Sequence, residues 1–158
     1  MITIYTDGAA KGNPGKGGYG TVLMANVNGK AHRKELAEGY RMTTNNRMEL
    51  LAVIKGLQML KKEGSQVTVY SDSKYVVDAV EKGWIWNWQK KGFKDKKNVD
   101  LWRAFIPLYK KHEVKFKWVK GHAGIPENER CDQLAVEAAE GRDLKVDEGY
   151  ERENKSLF

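Results

Sequence analysis

The sequence has little cysteine, no long apolar run and no interdomain linker, and each shortage excludes a class of protein. Cys131 is the only cysteine among 158 residues, which excludes an internal disulfide and favours a reducing compartment. No stretch approaches the roughly 20 apolar residues of a transmembrane helix, and the N-terminal MITIYTDG lacks the pattern of a secretory signal. We therefore expect a cytoplasmic monomer with no membrane partner.

Internal repeats and low-complexity blocks are also missing. A chain of this length folds as one domain and buries about two-thirds of its unfolded surface. Beyond Gly141 the residues are polar with few apolar anchors, which is typical of a frayed end. We predict a single domain over residues 1–141 and a partly disordered C-terminal tail over residues 142–158.

Positive charge is abundant but unevenly distributed. The net charge is +7, and 12 Lys or Arg residues but only 3 Asp or Glu residues lie between Lys82 and Lys120. That segment also contains all five tryptophans. A solvated basic face explains the lysines but not the tryptophans, although Trp102 and Trp118 could be core residues. Nucleic-acid surfaces use both types, with cations on phosphates and rings against sugars and bases.

Hydrophobic periodicity predicts five strands and four longer helices in an α/β arrangement. The strands are expected at 2–7, 19–27, 31–40, 66–71 and 114–119, and the helices at about 46–63, 74–81, 99–111 and 126–140. Asn28-Gly29 predicts a type I′ turn, so the first three strands form an antiparallel meander. The strand–helix alternation that follows predicts parallel pairing, with the fourth strand beside the first.

Three local features carry further predictions. The glycine-rich DGAAKGNPGKGGYG after the first strand is expected to be a turn or loop. The helix that begins near Asn46 is expected to end at Gly64 as its C′ residue. Pro107 is expected to kink or end the helix that contains it, because proline removes a backbone donor and clashes with the preceding turn.

Four acidic residues lie at strand ends or near the starts of helices: Asp7, Glu49, Asp72 and Asp132. Each has an ordinary alternative role: Asp7 in a hairpin turn, Glu49 in a capping box with Asn46, Asp72 as a helix cap and Asp132 as a solvated carboxylate. If the fourth strand lies beside the first, however, the ends that carry Asp7 and Asp72 meet. Carboxylates gathered in one site would then repel one another strongly.

A divalent cation would resolve that repulsion. Hard oxygen ligands, with no cysteine pair and no histidine pair at metal spacing, indicate Mg²⁺ or Mn²⁺ and not zinc. On a basic protein that grips phosphates, such a site predicts metal-assisted phosphodiester hydrolysis, in which two ions about 4 Å apart are used. His122, in a glycine-flanked loop, is either a surface histidine or a proton carrier beside the metals.

The chain resembles the bacterial, type 1 ribonuclease H family. The resemblance is carried by YTDGAAKGNPGKGGYG, TTNNRMEL, the SDS of Ser71 to Ser73, KNVDLW and WVKGHAGIPENERCDQLA, which follow the family's order and extend to about Gly141. It implies the ribonuclease H-like fold, with a five-stranded mixed sheet flanked by helices and its first three strands antiparallel. It also implies an endoribonuclease that hydrolyses the RNA strand of RNA·DNA hybrids by a two-metal-ion mechanism and leaves 5′-phosphate and 3′-hydroxyl ends.

The resemblance also assigns individual residues. By motif position, the metal-binding catalytic carboxylates are Asp7, Glu49, Asp72 and Asp132, and His122 matches a histidine that helps product leave. The positions that match contacts to the RNA strand near its 2′-hydroxyls are Asn13, Asn45 and Asn46. The positions that match the DNA-strand contacts are Thr44, Asn98, Trp84 and Trp88. A basic handle beside them consists of Lys90, Lys91, Lys94, Lys96 and Lys97.

The chain departs from the family pattern before Thr44. The family often has an arginine two residues earlier, where this chain has Met42, with Arg41 one place before it. Two other functions remain open at this stage. One is a non-catalytic module that binds hybrids or duplexes, which the four acids disfavour. The other is a nuclease of the same fold for branched DNA, which the asparagines disfavour.

Overall fold

The structure is a computed structural model and describes residues 1–121 and 123–154. Within these residues the strands are β1 (Ile2–Ala10), β2 (Gly15–Val27), β3 (Lys30–Thr43), β4 (Gln66–Ser71) and β5 (Glu113–Trp118). The helices are α1 (Asn45–Gln58), α2 (Lys74–Glu81), α3 (Trp84–Lys90), α4 (Val99–Lys111), α5 (Pro126–Glu140) and α6 (Glu148–Glu153).

The five strands form one mixed sheet in the order β3-β2-β1-β4-β5. The first three strands are antiparallel, and Asn28 and Gly29 between β2 and β3 both have positive φ, 53° and 75°, as a type I′ turn requires. β4 pairs parallel with β1, and β5 pairs parallel with β4. The predicted five-stranded mixed sheet, the meander and the position of the fourth strand beside the first are all confirmed.

The alternation of side chains along β2 determines which helices cover each face of the sheet. Thr21 faces α1, where its hydroxyl donates to the Ala52 carbonyl oxygen at 2.8 Å. Gly20, the preceding residue, faces α5, and a Cβ added there would collide with the Cys131 carbonyl. Helices α1 and α5 therefore pack on opposite faces of the sheet.

The main core lies on the α1 face of the sheet. The apolar face of α1 packs there together with α4, and Trp102 is fully buried edge-on to Phe105, with ring centroids 5.7 Å apart. Trp102 is thus a core residue, whereas Trp118, at the end of β5, is 45% exposed. Helix α4 continues through Pro107 instead of ending there, because Trp102, Phe105 and Ile106 bury its apolar face.

The prediction that the glycine-rich stretch after Asp7 is a turn or loop is wrong for most of its length. β1 and β2 extend into the glycine-rich stretch, and only residues 11–14 lie between them. Gly18 and Gly20 of β2, like Gly39 of β3, lie where a Cβ would clash with backbone atoms of α5. These glycines let a helix approach the sheet closely, and they do not make a turn.

The first long helix begins within one residue of its predicted start, but its predicted C-terminal end is wrong. The N-cap is Thr44, not Asn46: its backbone is extended, and its hydroxyl accepts from the Arg47 amide at 3.2 Å. β3 runs directly into the helix, so Asn46 already lies within the first turn. The helix ends at Gln58, and Gly64, with a φ of 74°, lies in the following turn instead of at the C′ position.

The segment predicted as a C-terminal tail contains α6. Lys145 pairs with Tyr40 beside β3, and Asp147 caps α6 by accepting from the Tyr150 amide at 3.3 Å. The division of the chain at Gly141 stays a prediction. Across the described part of the chain, no helix combines the length and the apolar character needed to cross a membrane.

Candidate active site

The parallel pairing of β1 with β4 brings two carboxylates together. Tyr5 lies opposite Tyr70 in the register, and Asp7 and Asp72 each follow two residues later. The two acids therefore lie side by side where the strands part. This is the adjacency that the order of the elements predicts.

Helix α1 delivers the third carboxylate. Gly8 follows Asp7 on β1, and a Cβ at this position would collide with the backbone of Met48 and Glu49. Glycine therefore allows the first turn of α1 to lie directly against the strand. As a result, ligand oxygens of Asp7, Glu49 and Asp72 all lie within 4.8 Å of one another. We call these three residues the acid cluster.

The acid cluster is poorly compensated. Asp7 and Glu49 are buried and Asp72 is half-buried, and no Lys or Arg of the described residues pairs with any of them. Gly8 donates its amide to Asp7 Oδ1 at 2.9 Å, but Glu49 Oε2 is buried and accepts no hydrogen bond within the described residues. An orphaned buried carboxylate oxygen beside two further carboxylates fits a site for a hard cation.

The pKa values of the three carboxyl groups reflect the lack of positive charge around them. Burial and the charge of Asp72 raise the pKa of Asp7 from 3.8 to about 7. Burial and the charges of Asp7 and Asp72 raise the pKa of Glu49 well above 4.5, and burial raises that of Asp72. Strongly raised carboxylate pKa values gathered at one place are typical of functional sites.

The fourth predicted acid lies nearby but outside the acid cluster. Asp132 is half-buried in the second turn of α5, and its negative charge contributes to the raised pKa values of Asp7 and Asp72. His122 lies outside the described residues. Gly121, just before it, lies so close to Asp72 that a Cβ would come 2.9 Å from Oδ2. Gly121 therefore lies directly beside the acid cluster.

Two of the predicted RNA-strand residues are held by the backbone around them. Asn13 Oδ1 accepts from the Asn45 amide at 2.9 Å, and Asn45 Oδ1 accepts from the Ala10 amide at 2.6 Å. These bonds tie the turn after β1 to the start of α1. The third residue, Asn46, is exposed in the same first turn.

Two of the predicted RNA-side residues and two of the predicted DNA-side residues line one cleft of about 560 Å³. Asn13, Thr44, Asn46 and Asn98 line it, together with Lys97 and with Tyr150, Glu153 and Asn154 of α6. Asn98 is buried, and its side-chain amide donates to the Tyr75 hydroxyl at 3.1 Å. The sequence pattern does not predict the participation of α6, because polar residues with few apolar anchors are typical of a tail.

The aromatic and basic residues of the handle lie on α3 and the loop after it. Trp84 is 45% exposed, and the Lys82 ammonium lies 5.3 Å from its ring centroid. Trp88 is half-buried against Trp102, and Lys96 lies 4.9 Å from its ring centroid. All five lysines of the basic handle are exposed. The two predicted DNA-side tryptophans are thus accessible rings with cations beside them.

Sequence reasoning missed Arg47. Its buried guanidinium donates two hydrogen bonds to Asp100, at 2.8 and 2.7 Å, and two to Asp147, both at 2.8 Å. Thr43 donates its hydroxyl to Asp147 at 2.7 Å. We call Arg47, Asp100 and Asp147 the arginine hub. A signal existed, since Arg47 precedes Leu50 by three residues and therefore continues the apolar face of α1.

Two other contacts near the site were also missed. The indole Nε1 of Trp118 donates to the Asp72 carbonyl oxygen at 3.1 Å, and the Lys74 ammonium lies 4.9 Å from the Trp118 ring centroid. Arg41 makes two hydrogen bonds to Glu151 of α6, at 2.9 and 2.8 Å, while Met42 is 40% exposed. Arg41 thus holds α6 in the structure.

Comparison with known proteins gives a consistent family. The RNase H family model matches residues 1–140. The ribonuclease H of Desulforamulus reducens is 58% identical over 151 residues, covering 92% of each chain, and that of Syntrophus aciditrophicus is 54% identical over 95% of this chain and 87% of its own.

Solved structures agree with the sequence relatives. LC9-RNase H1, a type 1 RNase H with the type 2 active-site motif, superposes with a TM-score of 0.79 at 31% identity, over 99% of this chain and 81% of its own. LC11-RNase H1 in complex with an RNA/DNA hybrid superposes with a TM-score of 0.64 at 27% identity, over 89% and 97%. The chain belongs to the type 1, bacterial ribonuclease H family.

Proposed function

We propose that this protein is an endoribonuclease that hydrolyses the RNA strand of RNA·DNA hybrids and leaves 5′-phosphate and 3′-hydroxyl ends. The observation that carries the proposal is the acid cluster, three carboxylates within 4.8 Å of one another and without a cationic partner among the described residues. Family membership supports the reaction class, and the related LC11-RNase H1 was solved with an RNA/DNA hybrid.

Asp7, Glu49 and Asp72 would hold Mg²⁺ or Mn²⁺, with Asp132 as a further ligand from α5. Bound there, two such ions would activate a water and stabilise the leaving oxygen in phosphodiester hydrolysis. The carboxylates would fix the positions of the ions, because β1, the end of β4 and α1 each hold one carboxylate in place. For His122 we keep the proposed role in product departure.

The choice of the RNA strand for cleavage would follow from separate groups of residues near the start of α1, which contact the two strands of the hybrid. Asn13, Asn45 and Asn46 are proposed to contact the RNA strand, where 2′-hydroxyls distinguish RNA from DNA. Thr44 and Asn98 are proposed to contact a DNA-strand phosphate, with Trp84 and Trp88 lining the DNA channel. The handle lysines would attract the duplex without regard to sequence.

The decisive experiment compares a labelled RNA·DNA hybrid with duplex RNA and duplex DNA in Mg²⁺ and in EDTA. We expect cleavage of the hybrid alone, dependent on the metal, and products that carry 5′-phosphates by end-group analysis. Asp7→Asn should lower the rate by at least about 100-fold, since it removes a ligand to the cations that stabilise the transition state. Asp143→Asn, which changes an exposed carboxylate beyond the end of α5, is the matched control.

Two results would contradict the proposal. Binding of the hybrid without Mg²⁺-dependent cleavage would favour a non-catalytic module of the same fold. Equal cutting of duplex DNA would refute the specificity for hybrids.

A further inference from the structure

Helix α6 places a carboxylate in the polar cleft that is proposed to take the DNA-strand phosphate. Tyr150, Glu153 and Asn154 line this cleft together with Thr44 and Asn98. We infer that Glu153 opposes the bound phosphate and so limits the affinity of the enzyme for its hybrid. The inference rests on the proposed function, because it assigns a role to a residue within that substrate site.

The wall that carries Glu153 is anchored on both sides. Glu151 accepts two hydrogen bonds from Arg41 of β3, and Asp147, the N-cap of α6, accepts two from the buried Arg47. The Asn154 side chain donates to the Tyr150 carbonyl oxygen at 2.8 Å and closes the last turn. The helix is therefore held beside the cleft by contacts that do not depend on substrate.

The charges inside the cleft nearly cancel. Among the described residues that line it, Lys97 is the one cation and Glu153 the one anion, and the others are uncharged. A phosphate that enters is attracted by Lys97 and repelled by Glu153. Since the cleft is open to water, the repulsion should be moderate, about two- to five-fold in affinity, as for a single exposed charge pair.

Such a contact would affect binding and not the chemical step. The DNA strand is not cut, so its phosphate makes the same contact before and after hydrolysis of the RNA. An interaction that is equal in both states changes KM and product release but leaves the rate of the chemical step unchanged. Glu153 would thus offset the general attraction of the handle lysines and allow the nicked hybrid to dissociate.

The test measures hybrid affinity for Glu153→Gln and for a matched control, Glu148→Gln. Glu148 is exposed on the same helix and does not line the cleft. Equilibrium binding is measured in EDTA at low salt and again at about 1 M salt, where the Debye length falls to about 3 Å. We expect Glu153→Gln to lower Kd about two- to five-fold at low salt, with no difference at high salt. Glu148→Gln should match the wild type, and Glu153→Lys should bind still more tightly.

Kinetics supply a second readout. Glu153→Gln should lower the steady-state KM by a similar factor, while the single-turnover cleavage rate stays that of the wild type. Unchanged Kd at low salt would overturn the inference, as would a difference that persists at about 1 M salt, because packing and not charge would then be responsible. Metal-dependent cleavage by the wild type is scored in the same assay, so the proposed function stands or falls separately.

Discussion

Arg47 and Glu49 lie two residues apart in α1, yet buried charge is balanced around the first and unbalanced around the second. Arg47 donates hydrogen bonds to Asp100 and Asp147, whereas Glu49 faces Asp7 and Asp72 with one oxygen unpaired among the described residues. Burial by itself would raise the pKa of Asp100, but the hydrogen bonds from Arg47 lower it overall. The pKa of Asp7 rises to about 7.

This contrast distinguishes a buried charge that stabilises the fold from buried charges that serve the chemistry of the site. A buried ion pair with every donor and acceptor used joins segments of the chain, as the arginine hub joins α1, α4 and the start of α6. A buried group of like charges destabilises the fold, and such groups are typical of functional sites. Substitutions in the two sites should therefore change stability with opposite signs, and substitutions in the exposed basic handle should change it least.

The largest effect is expected from Arg47→Met. The substitution leaves Asp147 buried without its cationic partner, which should lower the free energy of unfolding by about 3–5 kcal/mol. Urea denaturation monitored by circular dichroism gives this quantity. Arg130→Met is the matched control, since Arg130 pairs with Glu35 in an equally bidentate but solvent-accessible bridge worth at most about 1 kcal/mol. Equal losses in the two variants would remove the distinction between the arginine hub and an ordinary surface pair.

Asp7→Asn should have the opposite sign. Without metal, the variant lacks one of the repelling carboxylates. Its free energy of unfolding at neutral pH should therefore be about 1–3 kcal/mol higher than that of the wild type. The measurement is urea denaturation in EDTA, with Asp143→Asn as the control for loss of an exposed carboxylate. A destabilised Asp7→Asn protein would show that the acid cluster supports the fold and is not a source of strain.

The pH dependence of stability should show the same imbalance. Asp7 has a folded-state pKa of about 7 and an ordinary value of 3.8, so the folded protein binds more protons than the unfolded chain between these limits. Stability therefore falls as pH rises through that window, by about 3 kcal/mol from this source. Burial lowers the pKa of His112, which acts in the opposite direction below its ordinary value of 6.5.

The readout is accordingly the difference in unfolding free energy between wild type and Asp7→Asn in EDTA. This difference should be small near pH 4 and should grow in favour of the variant up to about pH 7. A difference that stays constant over the window would mean that Asp7 has an ordinary pKa in the folded protein.

The smallest effect on stability is expected at the handle, where unbalanced charge is exposed. Alanine at Lys90, Lys91 and Lys94 should leave the free energy of unfolding within about 0.5 kcal/mol of the wild type, because water already solvates these ammonium groups. KM for the hybrid should rise about ten-fold at moderate salt, since fewer counterions are released on binding. The corresponding change at Lys30, Lys61 and Lys62, also exposed, controls for total charge. An unchanged KM in the handle variant would contradict its role in binding.

The sequence predicts the acid cluster better than the arginine hub, and the reason is the kind of contact involved. Asp7 and Asp72 follow strands whose parallel pairing can be inferred from the order of elements, so their adjacency is a property of topology. Arg47 finds Asp100 and Asp147 about 50 and 100 residues away. No local pattern specifies those partners, and an arginine beside asparagines is easily assigned to the surface.

Local patterns also fail where one residue type serves two purposes. Glycine is common in turns, so the pattern after Asp7 predicts a loop that includes Gly18, but Gly18 lies in a strand beneath a helix. Asn46 and Thr44 are both good helix caps, and only the course of β3 into α1 selects Thr44. The residues of α6 contain no apolar face that would distinguish them from a tail.

The glycines beneath α5 have a consequence for how this protein can lose activity. Gly20 lies directly opposite Asp7 in the sheet, and α5, which carries Asp132, packs against it where no side chain intervenes. The absence of a Cβ at Gly20 therefore lets α5 bring Asp132 close to Asp7. Alanine at Gly20 would leave each acidic residue chemically intact and still move one away from the other. A screen for inactive variants should therefore find substitutions of these glycines as well as substitutions of the carboxylates. The loss of activity should grow with the volume of the side chain introduced at the glycine.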